Sequence, residues 1–153
     1  MPDLVTHGFA AWLLIRPQRW QKVRLLFFLG TFLPDVISRP LYILFPRWQS
    51  CTVAMHTPLF ALLSGLLAAE FMAPELRRAA RAAISAGIVL HFSLDVMQSH
   101  LGAGYYWFFP FSWRSFELGW FWPEATVAWI PLWLAIFTGG EVVLAWRRRR
   151  LRA

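Results

Sequence analysis

Residues 82–99 read AAISAGIVLHFSLDVMQS, an apolar run interrupted by small polar residues and, near its end, by His91 and Asp95. A bilayer is crossed by ~20 apolar residues, within a range of about 17–25. This run is at the short end of that range. A central charge in a span costs ~2.5–3.5 kcal/mol or more. Two ionisable side chains at this depth therefore need compensation by pairing, by a wet cavity or by a bound cation. Their spacing of four places both on one helical face. That pattern suits a hydrogen-bonded pair as well as two ligands of one Zn²⁺-like ion.

Three further apolar stretches lie on either side: Leu25 to Phe45, Thr52 to Ala73 and Ala125 to Trp146. The expectation is an all-α fold, an integral membrane helical bundle with about four spanning helices. Pro40 is expected to interrupt the first of them, because proline removes a helical donor and clashes with the preceding turn. A short N-terminal helix over Leu4 to Ile15 is too short to span. Residues Tyr105 to Trp122 read YYWFFPFSWRSFELGWFW; Pro110 and the crowded rings argue for an aromatic interfacial loop or short amphipathic helix. With 153 residues the chain makes one domain, 1–153.

Composition agrees. The chain is 58% hydrophobic and 15% charged, against about a quarter charged in a soluble domain. Cys51 is the single cysteine, so no intrachain disulfide forms. Asp3 stands where a secretory signal would be basic, so none is expected. The net charge of +7 could indicate nucleic acid, but the basic residues cluster between apolar runs instead of forming a soluble face, and no nucleic-acid partner is expected. Alternating spans put Arg16, Arg19, Lys22, Arg24, Arg77, Arg78, Arg81, Arg147, Arg148, Arg149, Arg150 and Arg152 on one side. Arg39, Arg47 and Arg114 fall on the other, a bias of twelve to three. The positive-inside rule makes the first side cytoplasmic, including the C-terminal arginine tail, which would attract anionic headgroups of membrane lipids.

All the polar candidates sit at compatible depths. At ~1.5 Å per residue, Asp35 lies ~16 Å from Arg24, His91 ~15 Å and Asp95 ~21 Å from Arg81, and His7 ~13 Å from Arg16. His56 lies near the outer end of its stretch. These five could converge on a metal, or stitch helices together as separate hydrogen bonds. His100, just past the third stretch, is an optional further ligand. Arg39 and Arg114 are candidates for binding a substrate phosphate; the alternatives are an Asp35–Arg39 ion pair and an interfacial anchor.

The motifs Thr6-His7-Gly8, Gly30-Thr31-Phe32-Leu33-Pro34-Asp35, His56-Thr57-Pro58-Leu59, His91-x-x-x-Asp95 and Pro110-Phe111-Ser112 occur in this order. In this the chain resembles the YdjM family, bacterial inner-membrane proteins described as metal-dependent hydrolases. That family is in turn similar to the zinc-dependent phospholipase C and nuclease superfamily. The resemblance implies one or two divalent ions, of the zinc type. Asp35, His56, His91 and Asp95 would surround the first, and His7 with a bridging Asp95 would reach the second. The His-x-x-x-Glu pair of a third zinc site is missing. The implied activity is hydrolysis of a phosphoester or lipid-like substrate through an activated water, with Asp35 orienting or deprotonating that water and Glu124 as the runner-up base. A small metal transporter or a non-catalytic scaffold uses the same polar cluster and stays open at this point.

Overall fold

The structure is a computed structural model that describes residues 4–15, 21, 23–48, 53–99 and 105–150. His100, Arg16, Arg19, Lys22, Cys51 and Arg152 lie outside the described residues, as do the side chains of Glu124 and Arg148. The helices in order are α1 (Leu4–Ile15), α2 (Arg24–Leu44), α3 (Pro58–Glu70), α4 (Pro74–Met97), α5 (Pro123–Ala128) and α6 (Ile130–Arg150), with a 3₁₀ turn at Pro46–Trp48. The all-α membrane bundle is thus present, with no named strand among the described residues.

The helix bounds depart from the sequence expectation in four places. Three helices, α2, α4 and the first eighteen residues of α6, are long and apolar enough to cross a membrane, where about four were expected. The stretch from Thr52 gives only the thirteen residues of α3, ~20 Å of helix. Its start is set by Thr57, which is extended at the N-cap, and by Pro58 in the first turn, where a missing N–H costs nothing. Pro74 does the same for α4, which begins well before Ala82 and reaches 24 residues. Conversely α2 runs unbroken through both Pro34 and Pro40. Proline is tolerated within membrane helices when neighbouring groups re-satisfy the freed backbone. The last stretch divides at Trp129, where Pro131 lacks the donor that would continue the helix.

At the centre of the bundle α4 packs against α2, α3 and α1, while α6 touches α1. The α2–α4 seam is made by glycine. A Cβ at Gly30 would collide with the Ile84 carbonyl, and one at Gly87 with the Phe27 carbonyl. Two backbones this close are typical of membrane helix pairs built on small residues. Around the seam the core is mostly small as well: Ala61, Ala69, Ala80 and Ala83 with Ile84, Ile88 and Phe92.

The rest of the burial pattern is inverted relative to a soluble bundle. Leu25, Val36, Leu67 and Val89 are all more than half exposed, while His7, Thr31, Asp35, His56, His91, Asp95 and Gln98 are buried. Lipid explains the outer apolar surface, and the polar interior follows from the rule that intramembrane ionisable groups face the bundle interior. At the α3–α4 hairpin, Glu70 lies 2.6 Å from Arg81 and 3.7 Å from Arg77 on an exposed surface. Because exposed ion pairs contribute about 0–1 kcal/mol, Glu70→Gln should lower thermal stability by no more than ~1 kcal/mol in a detergent melt.

Past α4 the aromatic segment folds back as a loop and is held to the end of that helix. Leu118 N donates to Val96 O at 2.7 Å, Trp120 N to Met97 O at 2.8 Å, and Ser99 N to Phe121 O at 2.9 Å. Its outer face carries exposed Phe108, Phe111, Trp113, Phe116, Trp120 and Trp122, as an interfacial anchor requires.

Candidate metal centre

Four separate segments deliver the five expected ligands to one place. His7 comes from α1, Asp35 from α2 and His56 from the turn ahead of α3. His91 and Asp95 come from successive turns of α4. All five are buried, none more than 3% exposed. The turn holding His56 is closed by its own amide, which donates to Val53 O at 3.1 Å, and by the Thr57 hydroxyl, which donates to Ala54 O at 2.8 Å.

Two groups of three could hold a metal ion: His56, His91 and Asp95; and His7, Asp35 and His91. In each, one ligand atom per residue lies within 4.8 Å of the other two. His91 is common to both. The resemblance made Asp95 the shared residue and placed Asp35 with His56, and Asp35 Oδ1 lies 3.9 Å from His56 Nδ1. In the structure Asp95 does lie near His7, its Oδ1 being 3.6 Å from His7 Nε2.

Proton accounting decides what the first group can accept. His91 Nδ1 is 2.8 Å from the Thr31 carbonyl oxygen. A carbonyl only accepts, so Nδ1 carries the proton and a neutral His91 presents a bare Nε2. His56 Nδ1 is 3.0 Å from Ser38 Oγ, whose hydroxyl donates to Pro34 O at 2.7 Å. That hydroxyl therefore accepts from Nδ1–H, and His56 Nε2 is bare as well. The two bare nitrogens face each other at 3.3 Å, and Asp95 Oδ2 lies 2.9 Å from one and 3.2 Å from the other. Three lone pairs thus converge on one point. A cation there satisfies all three at once, whereas a proton serves one pair. Bonds of about 2.1 Å to a tetrahedral ion would separate its ligand atoms by about 3.4 Å, close to the spacings found. Two imidazoles and a carboxylate would be three of the four ligands that a tetrahedral zinc ion takes.

Supporting contacts fix these ligands. The His7 and His91 rings stack with centroids 4.4 Å apart, and Tyr105 stacks on His56 at 4.7 Å. Burial, followed by the Asp95 and Asp35 carboxylates, pushes the Tyr105 phenol well above its ordinary value. It therefore remains an O–H donor. Arg39 Nη2 lies 2.8 Å from Asp35 Oδ2, an ion pair across one helical turn. Arg114 is exposed on the aromatic loop, and among the described residues no contact joins it to the cluster.

Sequence spacing did not single out Thr31, Ser38, Gln98 or Tyr105. A signal existed for three of them. Thr31, Asp35 and Ser38 follow the same four-then-three spacing as His91, Asp95 and Gln98, which makes one polar stripe on each of the two central helices. Ser38→Ala should leave the fold intact and weaken metal affinity ~10–100-fold, the usual effect of removing the partner that orients a metal-bound imidazole. Competition with a chromogenic chelator would measure it, and unchanged affinity would rule out the orienting role of Ser38.

No curated protein and no solved structure matches the chain. The model of the family described as YdjM inner membrane protein matches residues 3–153, and the chain therefore belongs to that family of integral membrane proteins.

Proposed function

We propose that this protein is a membrane-embedded, metal-dependent hydrolase acting on a phosphoester of lipid-like character. The observation that carries the reading is the convergence of His56 Nε2, His91 Nε2 and Asp95 Oδ2 within 3.3 Å of one another. Zinc is the metal that best suits such a set of nitrogen and oxygen ligands. When bound, such an ion supplies acidity to a water and polarises a phosphoryl oxygen. Asp35, held by Arg39, would accept a proton at its carboxylate from a water at the centre. The Tyr105 hydroxyl donates to a developing oxyanion. Arg39, beside the cluster, would give positive charge to a phosphate group.

A lipid substrate is favoured by the surroundings. A cavity of about 600 Å³ lies beside the centre, lined by Leu62, Ile88, Val89, Phe92, Trp107 and Phe116 among others. Phe92 forms the partition, its ring 5.6 Å from His56 and 5.2 Å from His91. An acyl chain entering from the bilayer would lie there with its headgroup toward the histidines. By the positive-inside rule the arginine tail is cytoplasmic, in the bacterial inner membrane, and the centre faces the outer half of the bilayer.

The test pairs two measurements on purified wild-type protein. Metal analysis should find one or two equivalents of Zn²⁺ or a similar ion. Turnover of a chromogenic phosphodiester should be abolished by chelation and restored by the metal. Metal-dependent flux in proteoliposomes without turnover would favour a transporter instead, and protein free of metal would remove the basis for the hydrolase.

A further inference from the structure

We propose that Gln98 is a ligand-binding residue of the metal centre, its side-chain amide hydrogen-bonding an oxyanion oxygen, such as that of a phosphate group, held there. The proposal rests on the metal-centre reading and adds to it a neutral residue outside any metal-ligand pattern. Gln98 is fully buried, and neither its amide nitrogen nor its amide oxygen has a hydrogen-bond partner. Leaving such a group unsatisfied costs ~1–3 kcal/mol, and native proteins keep few of them. A residue retained at that cost is suited to a partner that arrives from outside the chain.

Its position agrees. Gln98 is the C-cap residue of α4, seven residues after His91 and three after Asp95, so the helical repeat brings its Cα to the side of α4 that carries them. It stands ~4.5 Å beyond Asp95 along the helix axis. Its backbone is held in place: Gln98 N donates to Asp95 O at 3.2 Å, and the neighbouring hydrogen bonds to Trp120 and Phe121 clamp both sides. The amide is therefore not a side chain on a loose end. It offers two N–H donors, one acceptor and no charge. That chemistry suits the oxygens of a phosphate whose charge is met by the metal and Arg39, and it adds no competing charge to the site.

The experiment loads wild type and Gln98→Met with Co²⁺ and follows the visible spectrum during titration with inorganic phosphate. The substituted protein should hold the same cobalt with the same anion-free spectrum and bind phosphate about tenfold more weakly. It should also melt no lower than wild type when phosphate is absent, because the unsatisfied amide has gone. Unchanged phosphate affinity, loss of cobalt from the variant, or a cobalt-loaded wild type with no phosphate response would each overturn the proposal. If methionine prevents folding, Gln98→Asn keeps the amide but withdraws it by one methylene. The same weakening supports the proposal there, and unchanged affinity overturns it. A wild type that takes up no cobalt at all fails the metal reading itself, an outcome distinct from a cobalt-loaded protein in which Gln98 has no effect.

Discussion

Alanine at His91 or at Asp95 should empty the metal centre. His91 belongs to both groups of candidate ligands, and Asp95 Oδ2 approaches two imidazole nitrogens at 2.9 and 3.2 Å. Removing either leaves at most two convergent donors in the first group. Loss of an orienting partner alone weakens metal binding ~10–100-fold; loss of a ligand should exceed that and bring the purified variants to near-zero occupancy. The two substitutions also differ in an instructive way. His91→Ala leaves the Asp95 charge buried and removes the donor to the Thr31 carbonyl, and loss of one partner of a buried hydrogen bond costs ~1–3 kcal/mol. Asp95→Ala removes the charge itself and should be the milder of the two for stability. Elemental analysis of both variants beside their detergent melts separates loss of metal from loss of fold. Stoichiometric metal in both would end the case for this centre.

Gly87→Ala should be as damaging as loss of a ligand, although it touches none. The added methyl would meet the Phe27 carbonyl oxygen and the Thr31 amide, which are backbone atoms and cannot swing aside. The α2 and α4 backbones must move apart. Overpacking of this kind costs ~1–3 kcal/mol and sometimes more. It also separates Asp35 and the Thr31 carbonyl on α2 from His91 and Asp95 on α4, so metal affinity should fall with stability. Gly139→Ala on α6 is the matched control: nothing lies within 4 Å of its added methyl, and replacing glycine within a helix gains up to ~1 kcal/mol. A Gly87→Ala protein that melts and binds metal like wild type would show that the seam tolerates separation.

Membrane character and the buried His/Asp cluster were legible from the sequence for the same reason. Histidine and aspartate are so costly in lipid that their mere presence in apolar runs marks an interior polar site. Where the helices end was less legible. Hydropathy sees the stretch from Thr52 as one block, whereas backbone chemistry at Thr57-Pro58 starts α3 late; the same blindness hides the break ahead of Pro131. At Pro40 the error ran the other way, because a rule for helices in water was applied to one whose neighbours support it. Neutral polar residues carry the weakest signal. Serine and threonine cost little in a span, and the four-then-three spacing of Thr31, Ser38 and Gln98 acquires a meaning once the histidine tautomers and the unpartnered amide are seen in three dimensions. Tyr105 was hidden among eighteen residues dense in aromatic rings.

The Asp35–Arg39 pair bears on how the chain enters the membrane. Helices reach the lipid in the order of synthesis, so α2 arrives before the imidazole of His91 exists at that depth. Arg39 travels on the same helix, one turn away, and the carboxylate carries its counter-ion from the outset. When α4 docks, Asp35 meets the histidines already neutralised, and α2 exposes no bare anion to hydrocarbon.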